Sequence, residues 1–356
     1  MSGSDDSILD EWRARIAAAT AARAPLRLRG AGTKDFYGEA LAGEIFDLTA
    51  WRGIVDYEPS ELVVTARCGT PLSELEAALE TRGQFLAFEP PGFGADPTVG
   101  GVVAAGLSGP RRPYAGAARD FVLGVRLLTA GGELLRFGGK VMKNVAGFDI
   151  SRLLCGSLGI LGVITEVSLK VMPRPRDEQT VRLEMSADAA VAAFNRWSAK
   201  PLPLSAAAWC SGVALLRLSG AASAVRAARE NIGGERMDDR TASEWWRSLR
   251  HFRLPAFSSE VLWRVSLPAA ASRLAIGTEP LIDWGGAVRW YADPDPGTDV
   301  RALALEAGGT ALCWRGPAPQ GRFHPLSPTV ARLHHRLKER FDPQGILNPG
   351  RLLVAL

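Results

Sequence analysis

The run Arg29-Gly30-Ala31-Gly32-Thr33-Lys34 follows directly on the strand-like Leu26-Arg27-Leu28. About seventy residues later comes Pro97-Thr98-Val99-Gly100-Gly101-Val102-Val103-Ala104-Ala105-Gly106. A third run, Gly159-Ile160-Leu161-Gly162-Val163-Ile164-Thr165, is equally free of bulk. Main chain without side chains can lie flat against a ligand and turn its N–H groups toward it. Two such cradles beside basic residues suit a pyrophosphate held from two sides, and the cofactor this implies is a flavin nucleotide. Rival chemistries fail on spacing. A dinucleotide fingerprint needs G-x-G-x-x-G opening a helix, whereas Gly30-Ala31-Gly32 runs on into Thr33-Lys34-Asp35 and a loop-like Phe36-Tyr37-Gly38. A P-loop needs Gly-Lys before Ser or Thr, and Gly139-Lys140 precedes Val141. The plain alternative is a pair of tight turns in a chain with 38 glycines.

Other reactive residue types are sparse. Cys68, Cys155, Cys210 and Cys313 are far apart and form no C-x-x-C pair, so reduced buried thiols are expected and no metal site is assigned. Among the histidines, His251 and His324 stand alone, while His334 and His335 are neighbours on one helix and cannot point to one site. No catalytic residue is assigned. Lys34 and Arg29 suit a diphosphate; Arg111-Arg112 could also reach a cofactor phosphate, and Lys143-Asn144 the flavin or a partner.

These residues need a scaffold, and the composition supplies one. The chain has 47% hydrophobic and 22% charged residues and a formal charge of +4, which describes a globular protein without the basic excess of a nucleic-acid binder. The polar, acidic start is unlike a signal peptide, and no apolar run is long enough to span a membrane. A helix is expected over 7–22, with Ile8, Trp12, Ile16 and Ala19 on one stripe. Thr70 is expected to cap a helix whose first residue is Pro71 and whose inner face carries Leu72, Leu75 and Leu79. Strands over 124–129 and 133–137 flank Ala130-Gly131-Gly132 as a hairpin. Met172-Pro173-Arg174-Pro175-Arg176-Asp177 reads as a domain boundary. Eight of ten tryptophans follow it, suited to core packing or a partner-facing patch. A last helix is expected to start with Ser327 as N-cap and Pro328, with Val330, Leu333, His334, Leu337 and Phe341 on its apolar stripe.

In this order the pieces resemble the vanillyl-alcohol-oxidase, or p-cresol methylhydroxylase, type of FAD-binding family over essentially the whole chain. The resemblance implies that Arg29, Gly30, Ala31, Gly32, Thr33 and Lys34 hold the FAD pyrophosphate and that Pro97, Thr98, Val99, Gly100 and Gly101 form the second FAD loop, with Gly109 beyond it. It implies that Gly159, Gly162, Val163 and Ile164, within the run Cys155–Thr165, border adenine and ribose. The segment from Phe341-Asp342-Pro343 to Asn348-Pro349-Gly350-Arg351 is similar to the family's closing motif, with Asn348 at the cofactor. Runs 139–149, 262–268 and 285–290 are similar to the smaller FAD-binding subunits of bacterial glycolate oxidases. Those subunits work with a larger flavin subunit and an iron–sulfur subunit to oxidise glycolate to glyoxylate.

The resemblance implies an α+β fold: a two-part FAD-binding domain over 1–175, a cap over 176–320, and a segment over 321–356 that returns to the FAD domain. Relatives that attach flavin covalently use a His or Cys near the cradles; none stands there in this chain, so non-covalent FAD is expected. Relatives that oxidise hydroxy acids carry paired cap histidines, so this chain is not expected to turn over glycolate alone. Electron transfer or assembly within a complex is its expected task. A self-sufficient flavin oxidoreductase and a structural subunit with a vestigial flavin site remain the alternatives. The expected location is cytoplasmic, with any contact to the inner membrane made through partners. Valine at Gly32 or Gly100 is expected to abolish FAD retention by occupying the space of a phosphate.

Overall fold

A computed structural model describes residues 3–94, 96–139 and 149–354. The stretch containing Lys143 and Asn144 lies outside the described residues. The opening helix, Gly3–Ala22, buries Leu9, Trp12, Ile16 and Ala19, one per turn, against the sheets that follow. Strand Leu26–Arg29 pairs in parallel with Glu44–Asp47, and Leu26 bridges on to Leu347 near the C-terminus. A five-stranded antiparallel sheet lies beside this unit, in the order Ile54–Glu58, Val63–Arg67, Val163–Lys170, Val122–Leu128, Leu134–Gly138. One cluster of buried residues runs from Leu9 to Val171 and takes in Ile346 and Leu347.

The second sheet is antiparallel and eight-stranded, with Asp177–Glu184, Val213–Gly220 and Leu204–Cys210 toward one end and Val288–Ala292, Leu262–Ser266 and Thr310–Arg315 toward the other. Its strands alternate faces as period-two geometry demands. Ala207 and Trp209 join the helices Ala187–Ser198 and Ala222–Ile232 in one core, while Ala206 and Ala208 face helix Asp239–Arg250. Tyr37, Phe93 and Leu107 from the first half of the chain pack onto the latter face. All ten tryptophans are buried or half-buried, so they serve packing and form no exposed patch.

Three local expectations need correction. Thr70 does not cap a helix: its hydroxyl accepts from Gly53 N–H at 2.9 Å and donates to Gly53 C=O at 3.1 Å, and helix Leu72–Glu80 starts after Pro71 with no side-chain cap. The second glycine run is not bare loop. Thr98 Oγ1 accepts from Gly101 N–H, opening the helix Val99–Ala105, which closes at Gly106 with φ 64°. Val99, Val102 and Val103 form its buried stripe. The third concerns helix Pro328–Phe341. Ser327 caps it as expected, but Val330 and Leu333 are exposed and only Lys338 is buried. Lys338 Nζ donates to Asp342 Oδ2 (2.7 Å), Ile160 C=O (2.8 Å) and Leu347 C=O (2.6 Å), so the paired ammonium ties this end of the chain to the segment just before strand Val163–Lys170.

Candidate functional site

Strand Leu26–Arg29 ends in the first glycine turn, where Gly32 has φ 72°. The N–H groups of Ala31, Gly32, Thr33 and Lys34 find no acceptor among the described residues. Lys34 is half-buried beside them, without an ion-pair partner among the described residues; its Nζ donates to Thr33 Oγ1 at 3.4 Å and lies over the Phe93 ring, 5.7 Å from the centroid. Burial pulls its ammonium down to about 8. Consecutive free donors and an unneutralised cation form a site for an anion. Arg29 differs: Asp35 Oδ2 receives both Arg29 Nε (2.9 Å) and Arg27 (2.5 Å).

The second turn touches the first. A Cβ on Gly30 would lie 2.2 Å from Thr98 Oγ1, so only glycine allows this approach. The N–H groups of Val99, Gly100 and Gly101, however, are already engaged. Val99 donates to Thr70 C=O (2.9 Å), Gly100 to Cys68 C=O (2.8 Å) and Gly101 to Thr98 Oγ1 (3.3 Å). Of the four N–H groups expected to grip from the second turn, those of Val99, Gly100 and Gly101 are thus taken within the protein, and that of Thr98 finds no acceptor among the described residues; the turn otherwise supplies a floor without bulk.

Two connected clefts run between these segments. The outer one, about 90 Å³, is lined by Arg29 through Lys34 together with Thr98, Gly101, Asn348 and Arg351. The inner one, about 60 Å³, shares Gly30, Thr98, Gly101 and Asn348 and continues past Gly100, Gly159, Gly162 and Ile164. Pro97, Val99 and Val163 line neither cleft, and Val99 and Val163 belong to the core. Asn348 works as a staple: Oδ1 accepts from Leu28 N–H and Nδ2 donates to Leu158 C=O, each at 2.7 Å. The Arg351 guanidinium binds the carbonyls of Lys34, Asp35, Tyr37 and Glu39, fixing the first turn from behind. The spacing of the closing motif singled out these residues without revealing that they hold the walls.

Beyond Ala105 in the outer cleft, Gly106 opens into a larger cavity of about 360 Å³, where Gly109 also sits. Its charged lining includes Arg112, Arg264 and Asp283, and it contains no histidine. Asp283 Oδ1 accepts from Trp284 N–H at 2.7 Å; burial pushes its carboxyl up to about 7 despite the nearby Arg264. Arg264 and Asp283 were open to detection as lone charges in apolar strand sequences, yet no local spacing joins them. Arg111 points elsewhere, into an ion cluster with Glu89 and Glu178. His251 Nδ1 accepts from Gly92 N–H at 3.0 Å, and burial lowers its imidazole to about 4, which marks it as structural.

The flavin fits this architecture: free donors, an unpaired lysine and glycine-lined walls are what a diphosphate with an attached nucleoside requires. The family described as FAD binding domain matches residues 9–138. Glycolate oxidase subunit GlcE of Escherichia coli is 47% identical over 335 residues, covering 94% of each chain. Glycolate oxidase subunit GlcD of Bacillus subtilis is 32% identical over 161 residues, 45% of this chain and 34% of that protein. A solved alkyldihydroxyacetonephosphate synthase superposes with TM-score 0.66 at 16% identity, covering 95% of this chain and 74% of its own, which speaks for the fold. The α+β architecture is thus that of the p-cresol methylhydroxylase type, and the chain belongs to the family of the glycolate oxidase subunit GlcE, among the FAD-linked oxidoreductases.

Proposed function

We propose that this chain is the FAD-binding subunit of a multi-subunit complex that oxidises glycolate to glyoxylate. The observation that carries this is the row of N–H groups from Ala31 to Lys34, which find no acceptor among the described residues, beside a lysine with no ion-pair partner among them. In this reading the first turn binds the FAD diphosphate, and the small residues Gly101, Gly159 and Gly162 border the nucleoside. No covalent link is formed, since neither glycine turn carries a His or Cys. When bound, FAD would supply a two-electron carrier for electron transfer within the complex. The chain's own residues orient it: Asn348 spaces the cleft walls, and Arg351 holds the donor turn in place.

The FAD-binding part is proposed to comprise 1–175 and 321–356, with 176–320 as cap. The proposed partners are a larger flavin subunit and an iron–sulfur subunit, with no nucleic acid. The described helices include none long and apolar enough to cross a membrane, and a cytoplasmic complex is proposed, with any membrane contact through its partners. The test is glycolate-dependent dye reduction by the chain co-expressed with those partners. Activity should co-purify with all three chains and fall when this chain is made flavin-free by substitution at Gly101. Full activity of the two partners without this chain would remove the proposal.

A further inference from the structure

We infer that an open pocket of about 550 Å³ beside the first glycine turn is the face by which this chain docks a partner subunit. The docking segment of that partner is acidic and inserts an apolar side chain. The inference rests on the complex proposed above and names the surface that joins this chain to it.

The floor of the pocket is aromatic. Phe36 and Phe93 meet edge to face with ring centroids 4.9 Å apart, and Phe93 continues to Phe252 at 5.1 Å. Phe252 stacks on Trp314 at 5.0 Å, with planes 14° apart. Trp314 is buried, but Phe36 stands 41% exposed at the mouth. A single exposed apolar residue is ordinary on a protein surface. Here the open ring continues into a row of others, so an inserted apolar side chain would be taken from water along one connected face.

The rim is cationic. Arg253, Arg315 and Arg322 line it, and no Asp or Glu does. Arg315 Nη1 donates to the carbonyls of Phe257 and Ser259, each at 2.8 Å, which fixes the guanidinium without neutralising it. Arg253 and Arg322 have no ion-pair partner among the described residues. Glu39 spends Oε1 on the main-chain N–H groups of Arg322 (2.6 Å) and Phe323 (3.2 Å) rather than on the guanidinium. His251 adds no charge at pH 7, since burial lowers its imidazole to about 4. Aromatic rings and arginines without carboxylates are the residues that protein interfaces gather at their centres.

Charge decides the occupant. A second copy meeting this face across a two-fold axis would set arginines against arginines. Carboxylates on a different chain would complement them, steer its approach and fix its register. The walls are held in advance. Phe36 lies between Asp35 and Tyr37, whose carbonyls both bind the Arg351 guanidinium, and Lys34 Nζ rests over the Phe93 ring at 5.7 Å. A docked segment would therefore sit against the turn proposed to hold the diphosphate.

The test is co-purification of the tagged full-length chain with the larger flavin subunit and the iron–sulfur subunit, all three co-expressed. The double variant Arg253→Glu, Arg322→Glu should retain about tenfold less of the partners than wild type, with circular dichroism and flavin content unchanged. Arg253→Lys with Arg322→Lys should restore retention, and rising salt should strip the partners from wild type. If the glutamate variant fails to fold, Phe36→Ala carries the comparison, with several-fold weaker retention expected. Folded variants that hold the partners as wild type does would overturn the inference and leave the complex standing. A wild-type chain that holds neither partner would remove the complex reading, and this inference with it. A dimer of the isolated chain that the same substitutions break would give the face to a second copy and overturn the inference as well.

Discussion

Valine in place of Gly101 should empty the protein of FAD while leaving it folded. A Cβ at this position meets only Thr98 Oγ1, at 3.2 Å, and otherwise enters open space where Gly101 lines both clefts. The residue sits within helix Val99–Ala105, so a β-branched side chain is sterically tolerated by the backbone and its bulk falls on the ligand. Overfilling a tight site costs about 1–3 kcal/mol, which lowers cofactor affinity by roughly tenfold to a hundredfold. Flavin content after gel filtration reads the effect, and circular dichroism confirms the fold.

The same geometry corrects the two substitutions suggested by the glycine pattern alone. A Cβ on Gly100 would lie 2.6 Å from Cys68 Cβ, on the core side, so valine there damages packing before it touches a cofactor. At Gly32 it would strike the Arg29 guanidinium and force a side chain onto a left-handed backbone with φ 72°. That conformation costs roughly 1–2 kcal/mol for an L-residue. Gly101→Val is the cleaner probe. Retention of flavin in the folded variant would mean that the cofactor does not pass between these turns.

Glu89→Gln should be strongly destabilising although it is a conservative change. Glu89 is buried, accepts from Arg111 N–H at 2.8 Å and pairs with Arg217 at 2.9 Å, while Arg111 reaches Glu178 at 2.7 Å. These contacts join Glu89 and Arg111 to strands Val213–Gly220 and Asp177–Glu184 of the second sheet. Burial alone would raise the Glu89 carboxyl, but Arg217 and Arg111 outweigh it and hold the group down at about 2. Removing one member of a buried ionic cluster leaves uncompensated charge and costs about 3–5 kcal/mol. Denaturant unfolding at pH 7 measures the loss.

The acid limb carries the same signature. Because the folded carboxyl titrates below its ordinary value of 4.5, its contribution is present above that pH and is lost as pH falls toward 2. The span corresponds to about 3 kcal/mol. The wild-type protein should lose stability steeply through this window, and Glu89→Gln should flatten the curve. A variant as stable as wild type, with an unchanged acid limb, would show that the cluster does not tie Glu89 and Arg111 to the second sheet.

What could be read from the residues was what local spacing encodes. The turn Arg29–Lys34, the capped start of the last helix at Ser327 and the buried stripe Leu72, Leu75 and Leu79 each depend on neighbours within a few residues. The helix Val99–Ala105 escaped notice because two glycines of poor helix propensity stand in its first turn. Thr70 had the residue type of a cap, but tertiary contact with Gly53 took its hydroxyl. On the last helix, Val330 and Leu333 keep helical spacing although no described element covers them, since periodicity states which residues share a face and not what lies opposite. The direction of Gly100 and the meeting of Arg112, Arg264 and Asp283 depend on segments more than a hundred residues apart in places, which no local pattern reports.

The measurement that bears most directly on the flavin site is the absorbance spectrum of the purified full-length protein, repeated on the supernatant after mild acid precipitation. Flavin bands in the protein and free FAD in the supernatant are the predicted result. A colourless protein that takes up no FAD on incubation, or flavin that stays with the precipitate, would contradict the account.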